Sequence, residues 1–232
     1  MSKLAIITGA SSGIGQATAE CFLRAGWKVV SIARRTCPVD GVESIEADLS
    51  LQASFETIKS ELAPFMEDAE CICLVHNAGI SCNDTVRDVE QEMFTKIWDV
   101  NVSAPGQLNK IVMPHMSAGS SIIYIGSTLS EKAVSNAFSY TVSKHAIIGM
   151  MRATCQDLAD SGIHTAAICP GATDTAMLRQ VCDDEVLQSI MNMSAYKRLA
   201  RPEELAKLIY QAAETPIING SVIHANLGQI ER

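Results

Sequence analysis

Residues 4–15 read LAIITGASSGIG, a short apolar run that leads directly into a turn rich in glycine and serine. The residues from Ser12 to Ala25 then follow a helical pattern that stops at Gly26. Glycines permit a tight turn and a close approach of the backbone to a ligand, and the free amides at a helix N-terminus bind pyrophosphate. A strand, a glycine turn and a helix in this order predict a dinucleotide-binding loop rather than an ordinary surface turn.

The alternation of strand and helix continues along the chain. Short apolar runs predict strands at residues 4–8, 28–33, 71–75, 121–126 and 164–169. Two long helices are predicted between them, from Glu92 to Met113 and from Ala137 to Asp160. Because the strand-like runs are apolar throughout, we expect strands buried on both faces, in one parallel sheet covered by helices.

Composition excludes several classes of protein. The 232 residues are 47% hydrophobic, which predicts a sizeable core in one domain. A net charge of −8, without any run of Lys or Arg, argues against nucleic-acid or membrane partners. Neither a signal-peptide pattern nor an apolar run of membrane-spanning length is present. The eight cysteines are scattered, without a Cys-x-x-Cys pair, which favours free thiols in a reducing cytoplasm over a disulfide framework. No metal site is predicted.

Residues 139–144, SYTVSK, place Tyr140 four residues before Lys144 at the start of the second long helix. At this spacing a phenol and an ammonium group share one face of a helix. The pair is either incidental or a proton donor with a cation that tunes it. A phenol with an ordinary pKa near 10 transfers protons poorly at neutral pH, so a catalytic tyrosine needs a positive neighbour.

Taken in order, two motifs resemble those of one enzyme family. Thr8 to Gly15 follows the pattern Thr-Gly-x-x-x-Gly-x-Gly, and Tyr-x-x-x-Lys follows far downstream. The combination resembles the short-chain dehydrogenase/reductase family over nearly the whole chain. The resemblance implies an α/β, single-domain Rossmann-like fold, a doubly wound parallel β-sheet flanked by helices on both faces. It also implies hydride transfer between a nicotinamide cofactor and a carbonyl or secondary alcohol.

The resemblance assigns the cofactor contacts residue by residue. Asp48 and Leu49 match the adenine contact, and residues 77–79 match the Asn-Ala-Gly that contacts the adenosine ribose. Residues 170–175 match Pro-Gly-x-x-x-Thr, which lies against the nicotinamide. His76 departs from the family's asparagine, and we interpret it as structural. The implied cofactor-binding residues are Gly9, Ser11, Ser12, Gly13, Ile14, Gly15, Asp48, Leu49, Asn77, Ala78, Gly79, Tyr140, Lys144, Pro170, Gly171, Thr173 and Thr175.

A catalytic set follows from the same resemblance. Ser127 ends a predicted strand thirteen residues before Tyr140, the family's usual separation, although Thr128 and Ser130 are hydroxyls nearby. Asn101 matches the helix asparagine whose backbone holds a water in the proton relay. The implied catalytic residues are Asn101, Ser127, Tyr140 and Lys144. In this interpretation Tyr140 is the acid, Ser127 holds the substrate oxygen, and Lys144 tunes the phenol and binds the nicotinamide ribose.

The second predicted strand ends in SIARR, which places Arg34 and Arg35 where an NAD-preferring site has an acidic residue. Arginine suits a 2′-phosphate through charge-assisted hydrogen bonds. We therefore predict NADP(H) as the cofactor, unless both arginines simply face solvent.

The substrate is expected to be a small carbonyl or alcohol. Residues 176–196 should form a lid, and their apolar side chains either line the substrate pocket or pack on the core. Reduction of 3-oxoacyl chains on an acyl carrier protein is an alternative, which the scarcity of cations near Lys110 disfavours. A non-catalytic NADP-binding regulatory protein is a second alternative. The long helices carry surplus apolar residues, so we expect a homodimer or homotetramer.

Overall fold

The computed structural model describes residues 2–229, and its centre is a seven-stranded parallel sheet in the order β3-β2-β1-β4-β5-β6-β7. The strands are β1 (Lys3–Thr8), β2 (Lys28–Ala33), β3 (Glu43–Glu46), β4 (Cys71–His76), β5 (Ser121–Ile125), β6 (His164–Pro170) and β7 (Ser221–Ala225). All five strands predicted from apolar runs are present, and the predicted doubly wound parallel sheet is confirmed.

Helices connect the strands and cover both faces of the sheet. They are α1 (Gly13–Arg24), α2 (Ser54–Glu67), α3 (Gln91–Trp98), α4 (Ala104–Val112), α5 (Phe138–Asp157), α6 (Ala176–Val181), α7 (Asp184–Met193) and α8 (Pro202–Ala213). One core cluster packs α2, α4 and α5 against the sheet, and the other packs α1 and α8 against the opposite face. Within residues 2–229, no helix combines the length and apolarity needed to cross a membrane.

The long helix predicted from Glu92 to Met113 is interrupted. A π-helical turn, Asp99–Ser103, lies between α3 and α4, and a short 3₁₀ turn follows α4. A π turn inserts an extra residue into the helical repeat and often marks a functional position. This turn contains Asn101, one of the predicted catalytic residues.

The order of the strands creates a crevice at the carboxyl ends of β1 and β4. β1 pairs with β2 on one side and with β4 on the other, so the connections that follow β1 and β4 leave in opposite directions. In open parallel sheets, ligands bind at the carboxyl ends of the strands where such a reversal occurs. The glycine loop follows β1 and the Asn-Ala-Gly segment follows β4, so both predicted cofactor segments lie at this crevice.

Candidate active site

The glycine loop is packed tightly against the loop that follows β4. Gly9 has φ +70°, and a Cβ there would lie 2.9 Å from the Cα of Ala78. A Cβ at Gly15 would lie 2.4 Å from the carbonyl oxygen of Gly9. At the N-cap of α1, Ser12 makes no side-chain capping bond, and the first turn carries no acidic residue. The helix therefore presents uncapped amides and a positive dipole end, the chemistry that a pyrophosphate requires.

Thr8 joins the two loops. Its Oγ1 accepts hydrogen bonds from the backbone N–H groups of Asn77 at 3.0 Å and of Ala78 at 2.9 Å. In return, the side-chain Nδ2 of Asn77 donates to the carbonyl oxygen of Thr8 at 2.8 Å. The Asn77 side chain thus fixes the glycine loop, in addition to the ribose contact that the motif predicts. Thr8 was not among the predicted site residues, although it is the first residue of the motif.

The predicted 2′-phosphate residues lie where β2 ends. Arg34 and Arg35 are both exposed, and among residues 2–229 neither forms an ion pair with a carboxylate. Asp48 lies near Arg34. Hydrogen bonds from the N–H and hydroxyl of Ser50, at 2.9 and 2.7 Å, lower the pKa of Asp48, and the positive charge of Arg34 adds to this shift. Leu49, the neighbouring adenine candidate, is buried.

Asn101 is fixed by its side chain. Its Oδ1 accepts the backbone N–H of Ile80 at 2.9 Å, and its Nδ2 donates to the carbonyl oxygen of Ile80 and to the hydroxyl of Ser143, both at 3.0 Å. The amide side chain therefore holds the loop that follows β4 to α5. The motif assigns the role in a proton relay to the backbone of Asn101, and that role stays a prediction.

Tyr140 lies on the first turn of α5, close to the end of β5. Burial raises the pKa of its phenol to about 12, and a hydrogen bond with the side chain of Ser127 opposes this shift. The hydroxyl of Ser127 accepts the N–H of Leu129 at 3.1 Å, so its own proton is available for a further acceptor. Ser130 instead accepts the backbone N–H of Ser127 at 3.1 Å and is buried. Between the two serines, the geometry therefore favours Ser127 as the partner of the phenol.

Lys144 lies one turn after Tyr140 and is buried. Its Nζ donates to the carbonyl oxygen of Ile125 at 2.8 Å and lies 5.5 Å from the centroid of the Tyr140 ring. Burial lowers the pKa of Lys144 to about 8. Tyr140 therefore holds its proton more strongly than a free phenol, and Lys144 holds its proton more weakly than a free amine. Perturbed pKa values of neighbouring groups in one cleft are typical of acid–base sites.

Cys169, the next-to-last residue of β6, lies against this group. A Cβ at Gly126 would lie 2.8 Å from its Sγ, so glycine is required where β5 passes the thiol. Burial raises the pKa of Cys169, which keeps the thiol neutral. This contact could not be predicted, because Gly126 and Cys169 share no motif. Among residues 2–229 all eight cysteines are free thiols.

Residues 170–175 meet the glycine loop. A Cβ at Gly13 would lie 3.1 Å from Cγ2 of Thr175, and a Cβ at Gly171 would lie 2.8 Å from the Cα of Asn226. The hydroxyl of Thr173 donates to the carbonyl oxygen of Gly171 at 2.9 Å. Thr175 accepts the N–H of Leu178 and caps α6. The segment thus joins the nucleotide crevice to the predicted lid, which consists of α6 and α7.

His76 points away from this group of side chains and into the core. Its Nε2 lies 2.7 Å from Oδ1 of Asn109, and its ring packs 4.9 Å from that of Tyr124. Burial lowers the pKa of His76 to about 4, so the imidazole is neutral. This placement agrees with the interpretation of His76 as structural.

This chain resembles known proteins over nearly its whole length. Residues 3–186 match the family model described as short chain dehydrogenase. The chain is 31% identical to an uncharacterized oxidoreductase of Thermotoga maritima, with 97% of this chain and 96% of the relative covered. It is 28% identical to the 3-oxoacyl-[acyl-carrier-protein] reductase FabG of Escherichia coli, with the same two coverages. The structure of a short chain dehydrogenase family protein from Francisella tularensis superposes with a TM-score of 0.88, at 27% identity and 98% coverage of both chains.

Proposed function

Because the chain belongs to the short-chain dehydrogenase/reductase family and is an oxidoreductase of that family, we propose that it reduces a carbonyl compound with NADPH, or catalyses the reverse oxidation. The observation that carries the proposal is the meeting of Ser127, Tyr140 and Lys144 at the carboxyl ends of β5 and β6, beside the nucleotide crevice. Binding alone would not require a phenol with a cation next to it.

In the reductive direction, the chemistry that a bound nicotinamide would supply is a hydride for the carbonyl carbon. Tyr140, which its raised pKa keeps protonated at neutral pH, donates the proton to the carbonyl oxygen. The Ser127 hydroxyl donates a hydrogen bond to the same oxygen. The ammonium group of Lys144 stabilises the phenolate that remains, at a distance of 5.5 Å from Nζ to the ring centroid.

The family uses a nicotinamide cofactor, and NADP(H) is the form that we propose. Support comes from the exposed Arg34 and Arg35 at the end of β2, which carry no carboxylate partner among residues 2–229. A 2′-phosphate would provide that partner through charge-assisted hydrogen bonds. The uncapped N-terminus of α1 suits the pyrophosphate of either nucleotide.

Reduction of a 3-oxoacyl group on an acyl carrier protein is the second candidate. It is favoured by the relative in Escherichia coli that bears this name. Against it, the lid carries Asp183, Asp184 and Glu185 at the start of α7, and an acidic carrier would meet like charge there. We therefore rank an uncharged ketone above a carrier-bound substrate.

We also propose a homodimer or homotetramer in the cytoplasm, with α6 and α7 as the substrate lid. Met93 and Trp98 on α3 each leave 39% of their surface exposed, which supports a further subunit against this helix. Light scattering at micromolar concentration that gives the mass of one 24.9 kDa chain would contradict the assembly.

The test of the function is NADPH consumption against a panel of ketones, 3-oxoacyl thioesters and quinones. We expect turnover with at least one ketone, faster with NADPH than with NADH. Tight NADPH binding without turnover of any compound would instead favour the non-catalytic regulatory protein. Turnover confined to the carrier-bound thioester would favour the second candidate.

A further inference from the structure

A buried carboxylate outside the predicted site holds the first turn of α5. Asp84 lies in the loop between β4 and α3 and is 8% exposed. Its Oδ1 accepts the backbone N–H of Ser139 at 3.0 Å, and its Oδ2 accepts the hydroxyl of Ser139. Its backbone carbonyl accepts the N–H of Phe138 at 3.2 Å. Three donors at the start of α5 therefore all bind the same residue, Asp84, in the loop between β4 and α3.

The helix cannot cap itself. Its N-cap residue is Ala137, which has no side-chain acceptor, and the first turn contains no acidic residue. The first amides of a helix need acceptors, and the dipole favours a negative charge beside them. Asp84 supplies both from a distance of 55 residues along the chain.

The residue held in this way is the immediate neighbour of Tyr140. One turn later, Ser143 donates to the carbonyl oxygen of Tyr140 at 2.8 Å and accepts Nδ2 of Asn101 at 3.0 Å. Asn101 in turn binds Ile80, which lies four residues before Asp84. The loop that follows β4 is therefore bonded to α5 on both sides of Tyr140. Asp84 binds Ser139 directly, and Asn101 links Ile80 of the loop to Ser143.

The other end of the same loop is fixed to the nucleotide crevice, since Asn77 and Ala78 bind Thr8. Residues 77–84 thus connect the glycine loop to the helix that carries the phenol, with hydrogen bonds at both ends. We propose that Asp84 is a positioning residue, which holds Tyr140 at the distance from the nicotinamide and substrate that proton transfer requires. This inference rests on the proposed function, because it assigns Asp84 a role in that reaction.

The test is Asp84→Ala in the full-length protein, assayed with NADPH and the best ketone of the panel. A displacement of a reacting group by about 1 Å costs up to roughly a hundredfold in rate, so we expect kcat to fall by about ten- to a hundredfold. The KM for the ketone and the Kd for NADPH should stay within about twofold, because Asp84 contacts Ser139 rather than the ligands. A residue that only stabilised the fold would leave kcat unchanged below the melting temperature.

Ser139→Ala provides a second variant, which keeps the test valid if Asp84→Ala does not fold. It removes one of the three bonds, so we expect a several-fold fall in kcat with unchanged NADPH affinity. The double variant should be no slower than Asp84→Ala, within about twofold, because both changes break the same contact. The matched control is Asp88→Ala, since Asp88 is an exposed carboxylate of the same loop that accepts from Thr85. Its kcat should match that of the wild type.

Three outcomes would overturn the inference. One is an Asp84→Ala variant that keeps more than half of the wild-type kcat, and another is a loss of kcat that follows an equal loss of NADPH affinity. The third is a Ser139→Ala variant of full kcat when Asp84→Ala is unfolded. In all three the wild type turns over, so the proposed function stands. An inactive wild type would overturn both proposals together.

Discussion

Two polar assemblies of this fold both include residues of α5, and they differ in their access to the cleft. The open assembly consists of Asn101, Ser127, Tyr140, Ser143 and Lys144. The closed assembly consists of His76, Asn109, Tyr124 and Thr154. The residues of the open assembly come from the π turn, the segment after β5 and α5, and those of the closed assembly come from β4, α4, β5 and α5. In the open assembly Ser127 and Tyr140 remain partly exposed, whereas all four residues of the closed assembly are buried.

The closed assembly forms a nearly complete chain of hydrogen bonds. Oδ1 of Asn109 lies 2.7 Å from Nε2 of His76, and its Nδ2 donates to the hydroxyl of Tyr124 at 2.7 Å. The hydroxyl of Tyr124 then lies 3.0 Å from Oγ1 of Thr154. Because the amide oxygen can only accept, Nε2 of His76 must carry the imidazole proton. Nδ1 of His76 has no partner among residues 2–229.

The open assembly leaves capacity for a ligand. The Ser127 hydroxyl can donate its proton to a bound ligand, and the Lys144 ammonium has donors beyond the one that binds Ile125. Polar groups therefore serve opposite purposes in the two assemblies. Enclosed groups bind one another and stabilise the fold, while accessible groups stay partly unpaired and are available for substrate. Substitutions should therefore affect activity at one assembly and stability at the other.

The largest expected effect is in the open assembly. We predict that Tyr140→Phe lowers kcat by about a hundred- to ten-thousandfold, because it removes the donated proton and keeps the ring. NADPH affinity and the melting temperature should change little. The assay is NADPH oxidation with the best ketone, and Tyr210→Phe, which alters a tyrosine packed edge-on against Phe22, is the control. Retention of more than about a tenth of the wild-type kcat would remove Tyr140 from the acid role.

The next effect concerns the closed assembly and pH. The pKa of His76 is lowered from 6.5 to about 4 by burial, so protonation favours the unfolded chain. Stability from the neutral imidazole is complete above pH 6.5 and is lost as the pH falls from 6.5 towards 4. The full shift corresponds to roughly 3 kcal/mol in the free energy of unfolding.

Urea unfolding of the wild type and of His76→Asn at several pH values measures this effect. Carboxylates also titrate in the lower part of this range, so the difference between the two proteins is the relevant quantity. We expect the variant to lose less stability than the wild type between pH 6.5 and 4. A difference that does not change with pH would rule out His76 as the titrating group.

Cofactor choice is a third test, and it concerns a part of the cleft outside both assemblies. Arg34→Ala should weaken NADPH binding by about ten- to a hundredfold and leave NADH binding nearly unchanged, since hydrogen bonds to charged groups contribute roughly 1.5–3 kcal/mol. If Arg35 shares the phosphate, the double variant shows the full loss. Fluorescence titration with both cofactors is the measurement. Arg24→Ala, which removes the same charge from the far end of α1, is the control. A wild type that prefers NADH would show that SIARR was misinterpreted.

These assemblies also explain how much could be predicted from the sequence. The open assembly could be located because its residues belong to ordered motifs with fixed spacing, such as Tyr140 and Lys144. The closed assembly could not, since residues 76, 109, 124 and 154 share no local pattern and meet only through the fold. Asp84 was missed for the same reason, as its partner Ser139 is distant in sequence.

The elements show a similar division. β1, β2, β4, β5 and β6 were predicted from apolar runs, because strands buried on both faces have a continuous hydrophobic signal. β3 was missed, because this edge strand has only four residues, ESIE, of which two are charged. The π turn was also missed, because a single extra residue hardly alters the hydrophobic pattern of a long helix.

The smallest expected effect returns to the closed assembly, through Tyr124→Phe. Asn109 donates to the hydroxyl of Tyr124, and this hydroxyl shares a second hydrogen bond with Thr154 at 3.0 Å. Phenylalanine preserves the packing of this fully buried ring against His76, but it leaves the Asn109 amide without an acceptor. An unsatisfied buried donor costs about 1–3 kcal/mol, so we expect the free energy of unfolding at neutral pH to fall by that amount. The value of kcat should stay within about twofold of the wild type, in contrast to Tyr140→Phe.

Urea unfolding and NADPH oxidation on the same preparation measure both quantities. Unchanged stability with reduced kcat would mean that the closed assembly acts on the active site, and the division between the two assemblies would then be wrong.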